Sequence, residues 1–142
     1  MLARFLTDDH RDCDAHFARA EAAAGDGDLA IAGAAFAKFE AALERHLTME
    51  ESVLFPEFEA RTGMRTGPTA VMRMEHEQMR ALLAQMNRAV ADADLDEFLG
   101  VCETLNVLIQ QHNMKEEHML YPMADQALAD CAEALVVRMQ TL

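Results

Sequence analysis

The chain has 142 residues, of which 51% are hydrophobic, and abundant alanine, leucine and methionine favour helices. This length is enough to bury one core, so we expect a single domain over residues 1–142. A formal net charge of −13 excludes nucleic acid and an anionic membrane surface as partners, because both would repel the protein.

The three cysteines are odd in number and have no Cys-x-x-Cys spacing. A disulfide framework is therefore not expected, and the reducing cytoplasm is the predicted location. No apolar run approaches the roughly 18 residues that a membrane span needs. The N-terminal residues do not have the pattern of a signal peptide.

Helical signals divide the chain into four long segments and a short one. In chain order, the predicted helices cover residues 7–25, 29–60, 69–91, 95–120 and 125–139. Asp28 is placed to cap the second helix, glycines and a proline break the chain between residues 61 and 68, and Pro56 and Pro122 predict kinks. Long amphipathic segments with short connections predict an all-α, up-down four-helix bundle with a short C-terminal helix.

Helical periodicity places the apolar positions of each long segment on one core-facing stripe. The stripe residues are Leu6, Cys13, Phe17 and Ala20; Phe36, Phe39, Leu43 and Val53; Met72, Met79, Leu83, Met86 and Val90; and Leu105, Ile109 and Met119. Four histidines and two glutamates interrupt these stripes: His10, His46, Glu50, His76, His112 and Glu116. The interruptions, rather than the stripes, carry the chemical information.

The interrupting residues repeat along the chain with one offset. The differences 76−10, 112−46 and 116−50 are each 66, and the same offset relates Glu51 to Glu117 and Pro56 to Pro122. Such a duplication predicts a site built from two equal halves.

On a helix, residues four apart lie within about 40° of each other, so His46 and Glu50 share a face, as do His112 and Glu116. Burying ionised carboxylates without a partner costs at least several kcal/mol, and two close together also repel. A metal ion resolves this conflict. The nitrogen-rich ligand set suits iron, zinc, copper or nickel better than magnesium or calcium. Bridging carboxylates favour two irons, with zinc and manganese left open.

The order His, His-x-x-x-Glu, His, His-x-x-x-Glu resembles the hemerythrin-like (HHE cation-binding) domains, and the resemblance covers nearly the whole chain. It implies a four-helix bundle that holds a non-haem diiron centre with an oxo or hydroxo bridge. By this resemblance His10 and His46 bind one iron, His76 and His112 bind the other, and Glu50 and Glu116 bridge them. Dioxygen, nitric oxide or peroxide would be the small-molecule ligand.

One departure from the oxygen-carrying members concerns Met72, which stands where the carriers have a fifth histidine, one turn before His76. The resemblance then implies two equivalent, five-coordinate irons.

The favoured function is binding or sensing of dioxygen or nitric oxide. The alternatives are a diiron enzyme acting on peroxide or nitric oxide, and a zinc-loaded structural or regulatory module. Outer alanines and methionines would permit a homodimer.

Four further residues lie next to the predicted site in the sequence. Cys13 follows His10 by three residues and is expected to pack in the core beside the metals, where a thiolate would be a soft ligand. Glu51 and Glu117 are expected on solvated faces, and Tyr121 is expected to be half-buried at the end of the bundle.

Overall fold

The computed structural model describes residues 1–142 and is helical throughout, with short turns between the helices. The all-α prediction is therefore confirmed. The elements are α1 (Leu2–Gly25), α2 (Leu29–Met49), π1 (Glu50–Leu54), α3 (Phe55–Thr62), α4 (Pro68–Ala91), α5 (Leu95–Lys115), π2 (Glu116–Leu120), α6 (Tyr121–Ala127) and α7 (Ala132–Gln140).

The four long helices form the predicted up-down bundle. α1 packs on α2, α2 on α4, α4 on α5, and α5 back on α1, so that each long helix has two neighbours. Tight turns join α1 to α2 and α4 to α5, and each second helix begins at an aspartate cap. Asp28 Oδ1 accepts from the Ile31 amide at 3.0 Å, and Asp94 Oδ1 accepts from the Glu97 amide at 3.1 Å. The predicted cap at Asp28 is confirmed.

The first and last predicted helices differ from those observed. α1 begins at Leu2 rather than at residue 7, because Asp125 of α6 accepts hydrogen bonds from the amides of Leu2 (2.7 Å) and Ala3 (3.3 Å). The predicted terminal helix 125–139 is two helices, α6 and α7, with a turn between them. Arg61 donates to the Ala127 carbonyl at 2.9 Å and so satisfies the end of α6.

A five-residue π-helical turn interrupts each of the two helices that carry a His-x-x-x-Glu pair. π1 precedes Pro56 and π2 precedes Pro122, so a wider turn accommodates the proline at each position where a kink is predicted. The extra residue shifts the helical register by about one position. As a result Leu120 is buried, and the core position predicted for Met119 is wrong, since its side chain is 58% exposed.

The core consists of two apolar clusters with a polar layer between them. One cluster fills the half of the bundle near the α1–α2 turn and includes Phe17, Phe36 and Phe98. The other includes Leu6 and Phe58, and α6 and α7 close over it with residues such as Leu135. All predicted stripe residues except Val90 and Met119 are buried. No helix has both the length and the apolar character needed to cross a membrane.

Candidate metal centre

The polar layer contains the six residues that interrupt the apolar stripes. α1 supplies one histidine, α2 and π1 supply a histidine and a glutamate, α4 supplies one histidine, and α5 and π2 supply the last pair. These six side chains are at most 4% exposed: His10, His46, Glu50, His76, His112 and Glu116. The fold therefore brings together all the residues that the sequence analysis selected.

One oxygen of each glutamate lies between two histidines from opposite halves of the repeat. Glu50 Oε1 is 3.4 Å from His46 Nε2 and 3.3 Å from His76 Nε2. Glu116 Oε1 is 3.1 Å from His10 Nε2 and 3.2 Å from His112 Nε2.

The histidines themselves form two close pairs. The ring centroids of His10 and His46 are 4.5 Å apart, and those of His76 and His112 are 5.0 Å apart. Each glutamate thus reaches one histidine of each pair, which is the arrangement that a carboxylate bridging two cations requires.

A second set of carboxylates holds the outer nitrogen of each of these four histidines. The Nδ1–O distances are 2.7 Å for His46–Asp9 and His76–Glu51, and 2.9 Å for His112–Glu75 and His10–Glu117. Because an ionised carboxylate only accepts, each Nδ1 carries the proton and donates it. Nε2 of each ring then faces the centre, where it carries a second proton in the imidazolium form and offers a lone pair to a cation in the neutral form.

These outer contacts correct the expectation that Glu51 and Glu117 lie on solvated faces, since their side chains are only 23% and 31% exposed and both contact a histidine. The sequence did contain a signal for them. Asp9 and Glu75 obey the offset of 66, as do Glu51 and Glu117. A pattern that repeats acidic residues as faithfully as histidines indicates that they share one site.

Basic side chains neutralise only part of this negative charge. Arg80 donates to both oxygens of Glu51 at 2.8 and 2.9 Å, and Lys115 pairs with Glu75. Arg45 lies 3.9 Å from Asp9 and is 43% exposed. Six carboxylates thus face three cations, and the buried layer retains an excess of negative charge.

This excess of negative charge shifts the pKa values of the buried groups. Burial acts to lower the pKa of His46, but the charge on Glu50 and the hydrogen bond to Asp9 outweigh it and raise that pKa to about 10. The pKa of His112 rises to about 9, because the charge on Glu116 outweighs the effect of burial. Conversely, the charge on His46 holds the pKa of Glu50 well below its usual range despite burial. The layer therefore favours positive charge at its centre.

A metal ion fits this donor set. Four buried atoms have no hydrogen-bond partner: Glu50 Oε1, His76 Nε2, His112 Nε2 and Glu116 Oε2. Ligand atoms of these four residues lie within 4.8 Å of one another, and so do those of His10, His46 and Glu116. Buried lone pairs that converge without a donor are costly unless a cation is shared between them.

Tyr121 lies inside the centre, which corrects the expectation of a half-buried residue at the bundle end. Its side chain is fully buried, and its hydroxyl donates to Glu50 Oε2 at 2.8 Å. The same oxygen is 3.0 Å from His10 Nε2, 3.3 Å from His46 Nε2 and 3.1 Å from Glu116 Oε1. Burial and the charges on Glu116 and Glu50 raise the pKa of this hydroxyl well above its usual value.

The position of Tyr121 makes the two halves of the site chemically different. Its repeat counterpart is Phe55, since 121−55 is 66, and a phenyl ring offers no ligand atom. The surroundings of the two predicted metal positions therefore differ, because only the half with His10 and His46 has a hydroxyl beside it.

A small enclosed cavity of about 10 Å³ adjoins the histidines and has room for about one water molecule. Its walls include His10, His46 and His112, together with Cys13 and Met79. Burial, reinforced by the charge on Asp9, raises the pKa of the Cys13 thiol to about 12. Cys13 is buried and packs in the core cluster, as expected.

The fold and the site together define a four-helix-bundle protein with a buried, duplicated set of histidines and carboxylates suited to metal binding. The sequence model of the hemerythrin HHE cation binding domain matches residues 1–124. The chain belongs to this family. No curated protein and no solved structure matches it.

Proposed function

We propose that the chain is a non-haem diiron protein that binds or senses dioxygen or nitric oxide. His10 and His46 would hold one iron, His76 and His112 the other, and Glu50 and Glu116 would bridge them beside an oxo or hydroxo bridge. The observation that carries this proposal is the placement of one oxygen of each glutamate between histidines of both pairs.

Iron is favoured by the chemistry of the donors. Four imidazole nitrogens and two carboxylates form a set of intermediate softness, which suits iron better than the hard cations magnesium and calcium. The excess negative charge of the layer also favours an ion that reaches the trivalent state. When bound, a diiron pair can donate and take back electrons and offers open coordination positions for a small ligand.

The residues of the chain perform three tasks around such a pair. Outer carboxylates such as Asp9 and Glu51 fix the orientation and tautomer of the histidines. The two apolar clusters exclude bulk water from both sides of the layer. The cavity beside Cys13 has room for about one water molecule, which favours a small ligand over a larger substrate.

Further parts of the proposal concern the chain as a whole. The three cysteines are free thiols, which agrees with the reducing cytoplasm as the predicted location. Residues 1–142 remain proposed as one hemerythrin-like domain, since α6 and α7 contribute to the same core cluster as α1.

Metal analysis of the purified chain, combined with its visible spectrum after anaerobic reduction and after exposure to air, tests the proposal. We expect about two irons per chain and oxo-bridge bands that return on aeration. His46→Ala is expected to lose iron, whereas His16→Ala, whose ring contacts Arg19 away from the centre, is the matched control and is expected to keep it.

Other outcomes would reassign the site. Zinc in place of iron, with no colour and no response to air, would overturn the diiron proposal and favour a structural or regulatory module. Catalytic turnover of peroxide or nitric oxide, lost in His46→Ala and retained in His16→Ala, would replace binding or sensing with an enzymatic function.

A further inference from the structure

The hydroxyl of Tyr121 has more close polar neighbours than one donated hydrogen bond can satisfy. Four atoms lie within 3.3 Å of it: Glu50 Oε2, Glu116 Oε1, His10 Nε2 and His46 Nε2. In the neutral rings that would bind a metal, whose outer nitrogens donate to carboxylates, neither Nε2 carries a proton, so none of these four atoms donates to the hydroxyl. A phenol has one proton, so at most one of the four contacts is a hydrogen bond donated by Tyr121.

The repeat shows that the hydroxyl is not needed for packing. The ring of Tyr121 lies 5.5 Å from that of His10 with an interplanar angle of 27°. Phe55, at the equivalent position, lies 5.5 Å from His76 at an angle of 30°. The two aromatic rings occupy matching places and differ by one oxygen atom, which therefore calls for a chemical explanation.

The unpartnered buried nitrogens point to the same asymmetry. Nε2 of His76 and Nε2 of His112 have no hydrogen-bond partner, whereas the hydroxyl of Tyr121 lies beside Nε2 of both His10 and His46. A cation held by His10 and His46 would meet this oxygen in addition to the bridging glutamates, and a cation held by His76 and His112 would meet no hydroxyl.

We propose that Tyr121 is a phenolate ligand of the metal ion held by His10 and His46, and that the other metal ion has no counterpart to it. Formation of the metal–oxygen bond breaks the O–H bond, and the proton passes to the buffer. A bound cation favours the anionic oxygen because it supplies the positive charge that the buried layer lacks. The inference rests on the proposed metal site, but it holds for iron or zinc.

The chain is well suited to a spectroscopic test, because Tyr121 is its only tyrosine and tryptophan is absent. The full-length protein is loaded with iron(III), and phenolate-to-iron charge transfer is followed by visible absorption and by resonance-enhanced ring vibrations. In parallel, loading with zinc is followed by the ultraviolet difference spectrum of tyrosinate. We expect one tyrosinate per chain in both experiments.

Two variants control the assignment. Tyr121→Phe places in this half the residue that the repeat already has at position 55, and it is expected to lose both tyrosinate signals while metal still binds. Phe55→Tyr adds one oxygen on the other side and is expected to retain at least the native signal. Loss of the signal in both variants would mean that the centre itself is disturbed, and it would overturn the assignment.

Two outcomes separate the proposed Tyr121 ligand from the proposed diiron function. Two irons per chain with no phenolate signal would show that Tyr121 only donates a hydrogen bond to Glu50, and the diiron proposal would stand. Zinc as the native metal, with a tyrosinate signal that Tyr121→Phe removes, would refute iron and retain the ligand.

Discussion

Replacement of Asp9 by asparagine removes one of the four charges that hold the outer nitrogens of the histidines. Asp9 Oδ2 accepts from His46 Nδ1 at 2.7 Å, and the two side chains are 18% and 2% exposed. The amide oxygen of asparagine still accepts this hydrogen bond, so the change tests the charge and leaves the shape of the site intact. We expect weaker metal binding at the half that contains His46.

The expected loss of metal affinity follows from the change from a charged to a neutral hydrogen bond. A hydrogen bond to a charged group is worth about 1.5–3 kcal/mol, and a neutral one about 0.5–1.5 kcal/mol. The difference of roughly 1–1.5 kcal/mol corresponds to about a tenfold loss of affinity. Asp9→Ala removes the bond altogether, and we expect a loss approaching ~100-fold, the upper range for such supporting groups. Arg45 adds little, because it is exposed and 3.9 Å away.

Anaerobic titration with iron(II) in competition with a chelator measures the affinity of each variant. The matched control is Asp8→Asn, which changes the neighbouring residue of the same helix in the same way. Asp8 is 63% exposed and pairs only with Arg11 at 3.4 Å, so its loss is expected to leave metal binding unchanged. Equal affinities for the Asp8 and Asp9 variants would refute the reasoning, provided that both retain the native helical circular dichroism.

Three further predictions concern stability and reactivity. Asp28→Ala and Asp94→Ala, which remove equivalent helix caps, should each lower the free energy of unfolding by about 1 kcal/mol in urea denaturation. Half-buried Cys131 should react with a thiol reagent in the native protein, whereas buried Cys13, with a pKa near 12, should react only after unfolding. The metal-free chain should lose stability as the pH rises from about 6.5 to 10 in thermal melts, because protonated His46 stabilises the fold below its pKa. Metal-loaded protein should not show this loss, and a melt of the metal-free chain independent of pH would refute the assigned charge balance.

The fold was largely predictable because its signals are local. Amphipathic periodicity, the cap at Asp28 and the break at residues 61–68 define the four long helices. The start of α1 was not predictable in this way, because its cap, Asp125, lies 123 residues further along the chain than Leu2. The exposure of Met119 was also missed, since a π turn changes the helical period that the pattern assumes.

The inner residues of the site were predictable from the repeat, but their supporting contacts were not. Asp9 precedes His10 in the sequence, yet it binds His46, 37 residues away on another helix. Only packing decides such pairings. Tyr121 was misplaced for a related reason. It follows His112 by nine residues, which at ~100° per residue points to the opposite face of an α-helix, and the intervening π turn rotates it back toward the predicted metal ligands.

The basic side chains beside the outer carboxylates differ between the two halves of the site. Behind His76, Glu51 pairs with Arg80, which Glu44 and Glu77 also bind. Behind His112, Glu75 pairs with Lys115. Behind His10, Glu117 has no basic partner, because the repeat counterpart of Arg80 is Asp14.

The proposed Tyr121 phenolate would add one negative charge to the half with His10 and His46 and none to the other half. On Coulombic grounds the half with the phenolate stabilises the more highly charged ion. We expect one-electron reduction of the diferric protein to occur at the half with His76 and His112, so that the phenolate band persists in the mixed-valence state. Stepwise reduction monitored by visible and electron paramagnetic resonance spectroscopy tests this order. Loss of the phenolate band with the first electron would show that these charges do not control the order in which the two irons are reduced.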